Sequence, residues 1–225
     1  MNECELVKEE MSYERIKKQI VFRLTGGRDY VKNFDSLLRD PAGNGLFKIY
    51  VIELSQQFSV LLTKKLVEKM GYSIENIYRD AELNTESLYP PVFKNIEKAI
   101  MESITGTGVK ENLLTDKSPE EYTEDYKSQM YVLTNDSARY GASVICYKGV
   151  VEKVSEIMKG DFYMIPSSVH EFIILSADVN KDSRSLNNIL TDVNSCYVKD
   201  GEILGNQVLY YSEKSCKIEL SVKVG

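Results

Sequence analysis

The alternation of apolar and polar positions is densest between Met130 and Asp178, in MYVLTNDSARYGASVICYKGVVEKVSEIMKGDFYMIPSSVHEFIILSAD. Short runs rich in Val, Ile, Tyr and Phe are separated by turn residues, and one helical period passes through VVEKVSEIM. The stretch therefore predicts strand, turn, strand, helix, strand, turn, strand. YGASVICY is the second strand of that series, and Pro166-Ser167-Ser168 opens the last turn. The rest of the chain is expected to pack around this stretch.

Upstream, Tyr13, Ile16, Ile20 and Leu24 recur at helical spacing behind Ser12, a good N-cap residue, and predict a helix from Ser12 to Leu24 closed by Gly26-Gly27. A short helix over Asp29–Leu38 and a turn cluster over Asp40–Gly45 follow. Leu46–Leu54 is β-branched and aromatic, which favours a strand over a helix. A helix through Met70 ends at Gly71, and Ser73 caps a second one over SIENIYRDAELNTESL that Pro90-Pro91 stops. Phe93, Ile96, Ile100 and Ile104 predict a further amphipathic segment. Downstream, Leu186, Ile189, Leu190 and Val193 mark one face of a helix over Asp182–Tyr197. Gln207–Ser212 and Lys217–Val222 read as a C-terminal hairpin with Glu213–Cys216 as its loop.

The fold class expected is α+β: an antiparallel sheet in the C-terminal half with helices packed on it, and a helical N-terminal portion. Residues 1–104 form the mainly helical part with one strand, and 105–127 a mobile connection. Residues 128–225 form the sheet part, joined with the first in one compact unit.

Composition narrows the function classes. With 225 residues and 43% apolar content there is material for a core, but no run reaches the roughly 18–20 apolar residues of a membrane helix. The N-terminus, MNECELVKEE, has neither the basic nor the apolar region of a signal peptide, so a cytoplasmic protein without a membrane partner is expected. A net charge of −6 argues against nucleic acid, whose binders need a basic face. Cys4, Cys146, Cys196 and Cys216 are scattered, Cys146 being read as a small core residue in a strand. One histidine completes no zinc set, so neither a metal nor a cofactor is expected. The acidic residues Glu120, Glu121, Glu124 and Asp125 lack calcium-loop geometry and read as a solvated face.

Candidate chemistry gathers at Ser167-Ser168-Val169-His170-Glu171. A serine nucleophile needs a base in hydrogen-bond reach and an acid that orients the base, so Ser168, His170 and Glu171 form a hydrolase-like candidate with Asn135 as oxyanion donor. If the strand has already begun, parity puts Ser168 and His170 on one face and Glu171 on the other. The structural alternative has the hydroxyls bonding turn backbone and His170 holding a neighbouring loop carbonyl. No Gly-x-Ser-x-Gly elbow, Walker loop, G-x-G-x-x-G or H-E-x-x-H is present. Asn135, Arg139 and Tyr140, on the turn after MYVLTN, meet Ser167 and His170 at one sheet end and form a candidate ligand or partner site. Asn84 and Asn194, mildly unfavourable inside helices, either bridge a strand end or face that site.

From about Val51 onward, LLTKKLVEKMGYSIENIYRDAELNT, MYVLTN, YGASVICY, GDFYMIPSSVHEFII and LNNILTDVN stand in the order of an uncharacterised family of bacterial proteins. The chain resembles this domain of unknown function, common in gut-dwelling Gram-positive anaerobes. The resemblance implies an α+β fold, a bacterial and sometimes mobile-element setting, and no established reaction. Its members are longer at the N-terminus, so the chain corresponds to their C-terminal part. With fifteen tyrosines supplying interface-type surface, the expected function is a non-enzymatic module that binds a host or defence protein. The alternatives are the hydrolase-like site and a small-ligand sensor at the sheet end.

Overall fold

The computed structural model describes residues 12–55, 57–105, 111–115, 129–178, 183–199 and 201–221. The protein is α+β, with two antiparallel sheets carried by two compact units, residues 1–89 and 90–225.

In the first unit a single helical turn, α1 (Tyr13–Ile16), and a 3-10 turn over Lys17–Gln19 lead into strand β1 (Ile20–Thr25). The helix expected to run on to Leu24 therefore stops early. Ile20, Val21, Phe22, Leu24 and Thr25 are all buried, and a run covered on both faces suits strand geometry and β-branched side chains. Asp29–Leu38 is likewise not a helix but turns around a 3-10 segment, Phe34–Ser36. Residues of the expected turn cluster form β2 (Arg39–Gly43), which pairs with β3 (Leu46–Glu53) through a tight Asn44-Gly45 turn. Both turn residues have positive φ, 53° and 78°, the geometry for which Asn-Gly is suited. β3 pairs on its other side with β1, and β4 (Ser59–Leu61) adds to β3 beyond β2. The helical N-terminal portion expected is thus a four-stranded sheet with helices α2 (Lys64–Met70) and α3 (Ile74–Leu88). Thr63 and Ser73 cap their N-termini, and Gly71, with φ 68°, closes α2.

The second unit opens with β5 (Pro91–Asn95), so Phe93 belongs to a strand and only Ile96–Thr105 forms helix α4. β6 (Met130–Asn135), helix α5 (Val150–Met158), β7 (Phe162–Ser168), β8 (Glu171–Ser176), helix α6 (Ser183–Tyr197), β9 (Leu209–Ser212) and β10 (Lys217–Leu220) follow. The sheet order is β10-β9-β7-β8-β6-β5, antiparallel throughout. YGASVICY is not a strand. Gly141–Cys146 is a 3-10 helix entered from Tyr140 at φ 52°, and Cys146 sits half-buried at its end. α6 buries Leu186 and Leu190 against Leu175 and Val208, while Ile189 faces solvent.

Each sheet has an edge closed by side chains. On β1, Asn84 Nδ2 donates to the carbonyls of Lys17 and Ile20, at 2.7 and 2.8 Å, and Thr85 Oγ1 accepts the Phe22 amide at 2.9 Å. On β5, Asn112 accepts the Phe93 amide through Oδ1 at 3.1 Å and donates to the Pro91 carbonyl through Nδ2 at 3.0 Å. Residues 111–115, the described part of the expected connection, thus lie along β5 with Leu113 and Leu114 buried; Glu120, Glu121, Glu124 and Asp125 lie outside the described residues.

Candidate functional site

The β7–β8 hairpin places the Ser167–Glu171 string at one end of the second sheet. Pro166 lies within β7, buried, at a level where β9 has already ended and no strand on that side asks for its missing N–H. The register slips between Pro166 and Ser168, and the chain reverses at Val169-His170. The bend therefore comes after the two serines, and the strand parity relating Ser168 to His170 does not apply across it.

The hydrogen bonds recorded at the bend run to backbone or to a near neighbour. Ser168 Oγ accepts the His170 amide at 3.1 Å, a local serine turn. The Val169 amide donates to the Glu202 carbonyl at 2.8 Å, and the Val169 carbonyl accepts the Ala142 amide at 3.3 Å. The His170 carbonyl accepts from Thr134 Oγ1 at 2.8 Å. The imidazole Nδ1 accepts the Tyr140 amide at 3.0 Å, which fixes the tautomer with its proton on Nε2. The rings of Tyr140 and His170 also meet at 5.5 Å between centroids. Ser167 Oγ lies 3.5 Å from Glu171 Oε1, at the limit of a hydrogen bond.

Asn135 closes the neighbouring loop. Its buried amide donates to the Arg139 carbonyl at 2.9 Å, while its Oδ1 receives the Ser137 hydroxyl at 2.9 Å and the Arg139 amide at 3.3 Å. Asn135, Tyr140, Ser168 and His170 therefore share one sheet end, linked through main-chain atoms, with the Arg139 side chain exposed and Tyr140 half-buried. Gly141 is fitted to this junction: a Cβ there would stand 2.1 Å from Thr134 Oγ1 and 2.5 Å from the His170 carbonyl oxygen. Thr134 and Gly141 were not among the expected site residues. Only Gly141, an isolated glycine inside a strand-like pattern, carried a signal of close approach.

The chain belongs to the family of unknown function DUF5688, which matches residues 2–213. The match reaches well before Val51, so the first sheet is part of what the family shares. No curated protein and no solved structure matches the chain. Among the described residues no group of three or more His, Cys, Asp or Glu side chains converges to hold a metal ion. Among the same residues no helix is long and apolar enough to cross a membrane.

Beyond the hairpin end, α4 is the element of this DUF5688 chain whose polarity is reversed. Its ten residues include none that is buried. Ile100, Met101 and Ile104 are 52%, 59% and 75% exposed, whereas Glu102 turns inward to Lys94 of β5 at 2.6 Å, each side chain about 20% exposed or less. Lys98 pairs with the largely buried Glu111. Ile96 and Ala99 are half-buried beside Glu102, so the helix turns a mixed side to its unit and Ile100, Met101 and Ile104 to solvent.

Proposed function

We propose that this protein is a non-enzymatic binding module acting in the cytoplasm on a protein partner, and that α4 carries the contact. One observation supports this reading: an amphipathic helix whose Glu102 pairs with Lys94 of its own sheet while Ile100, Met101 and Ile104 face water. Exposed apolar side chains contiguous on one helix mark interaction surfaces far more often than they mark folding cores. The hairpin end supports it from the other side, since Ser168 and His170 Nδ1 are bonded to backbone amides and Asn135 Nδ2 to a carbonyl. No Ser168–His170 side-chain bond of the kind a hydrolase uses is recorded among the described residues; both side chains are bonded to backbone amides. The setting on a mobile element and a host or defence target belong to the same proposal, through the bacterial family the sequence resembles.

A photo-crosslinking residue at position 104, in the full chain expressed in a native host, tests it. Position 104 is expected to give one discrete protein adduct, and exposed Glu156 on α5 none. Ile100→Glu is expected to remove that adduct while changing stability by about 0.5 kcal/mol or less, as exposed substitutions do. Equal labelling from 104 and 156 would sink the reading.

A further inference from the structure

A cleft in the first unit stands apart from everything assigned above. It is an open depression of about 430 Å³, lined by Ser12, Tyr13 and Glu68–Tyr72. That volume lies in the range of small-ligand sites. Three kinds of electron-rich group line it: two aromatic rings, the end of α2 and the Glu68 carboxylate. The rings of Tyr13 and Tyr72 meet at 5.5 Å with a 60° tilt, two aromatic surfaces set at an angle. Tyr13 donates its phenol proton to Asp80 Oδ2 at 2.8 Å, which fixes the ring; Asp80 is itself paired with Arg79 at 2.8 Å. The last turn of α2 forms the floor, and its capping amides, from Gly71 and Tyr72, engage the carbonyls of Val67 and Glu68. The two final carbonyls, of Lys69 and Met70, take no backbone donor among the described residues and form the negative end of the helix. The Glu68 carboxylate stands at the rim, exposed.

Angled aromatic faces, a carboxylate and outward carbonyls together suit one class of guest, a compact organic cation. We propose that the Tyr13–Tyr72 cleft binds an alkylammonium or guanidinium group, whether of a free amine or of a lysine or arginine side chain. Lys69 also lines the cleft, exposed, on a long flexible stem that lets its ammonium reach solvent. This site lies in the first unit and does not depend on the role given to α4.

The test is an NMR titration of the full chain with tetramethylammonium chloride, against the uncharged shape-mimic 2,2-dimethylpropanol at equal ionic strength. The amides of Tyr13, Gly71 and Tyr72 are expected to shift with the cation, which binds about five-fold or more tightly than the alcohol, as a cation–aromatic preference predicts. Tyr72→Phe, which keeps the ring, is expected to hold affinity within about two-fold, and Tyr72→Leu to lower it about five-fold or more. Because Tyr72→Leu can disturb packing, Glu68→Lys at an exposed position serves as the second variant and is expected to abolish the shifts. N-acetyl-lysine methylamide and methylamine then separate the two sources: tighter binding of the first assigns a peptide side chain, equal or tighter binding of the second a free amine. Equal affinity for cation and alcohol, shifts elsewhere than these amides, or full binding by Glu68→Lys would overturn the proposal.

Discussion

The two sheets solve the same problem at their edges with different materials. An edge strand exposes a carbonyl at one position and an amide two residues on, and leaving that pair open invites another strand. At β1 the pair is Ile20 O and Phe22 N–H; at β5 it is Pro91 O and Phe93 N–H. On β1 the work is divided between Asn84 and Thr85 on a fifteen-residue helix, with Thr85 2% exposed and its hydroxyl donating onward to Ala81 O. On β5 one amide, Asn112, does both jobs from an irregular segment whose anchors are Leu113 and Leu114. The helix would still shield its edge after losing one cap. The segment also holds β5 through the Leu113 amide on the Phe93 carbonyl at 2.7 Å and Glu111 on the Asn95 amide at 3.4 Å, but the Pro91–Phe93 pair is bridged by Asn112.

That contrast orders the expected effects. Asn112→Ala unpairs the Phe93 amide and the Pro91 carbonyl together, and is expected to cost about 2–3 kcal/mol by chemical denaturation. It is also expected to raise light scattering at high protein concentration as the β5 edge opens. Thr85→Val keeps the shape and removes one buried acceptor, at a cost of about 1–2 kcal/mol. With α3 still in place its scattering should match wild type, and equal aggregation by both variants would erase the contrast. Asn84→Ala, part-buried at the entry to β1, is expected to cost about 1 kcal/mol.

Alkaline titration sharpens the comparison further, since asparagine and threonine caps carry no ionisable proton. Tyr210 on β9 donates to Asp161, and that bond, then burial, pushes its phenol up to about 12. A folded value raised above the ordinary 10 means the neutral phenol stabilises the fold. The contribution is complete below pH 10 and is lost as pH rises to about 12. Across that window Tyr210→Phe is expected to lose less stability than wild type, while the difference made by Asn112→Ala stays constant.

Long periodic or capped segments were legible in the sequence. Ser73 and the Ile77/Ala81 spacing gave α3, and Gly71 gave the end of α2. Others were not, and three of them show why. Ile20 and Leu24 happen to satisfy both a helical spacing and the alternate positions of a doubly covered strand, so β1 read as helix. Asp40-Pro41-Ala42-Gly43 has turn chemistry but is held extended by β3. YGASVICY has strand composition, yet its small residues let it coil as a 3-10 helix against Thr134 and His170. At the candidate site the sequence brought forward Asn135, Tyr140, Ser168 and His170, which do meet at one sheet end. It anticipated a histidine bonded to a loop carbonyl; the partner is instead a loop amide, which a neutral imidazole accepts equally well. Asn84 bridges a strand end as one of its two anticipated roles. Asn112 and the reversed face of α4 were invisible, because what an amide or an isoleucine contacts depends on the sheet that forms beside it.

The thermal melting of His170→Ala bears most directly on the claim that the β7–β8 bend is a fastening between backbone segments. Losing the acceptor for the Tyr140 amide and the ring contact is expected to cost about 1–3 kcal/mol, seen as a Tm lowered by several degrees. A variant that melts with wild type while losing a hydrolytic activity would contradict the account and return the hairpin end to catalysis.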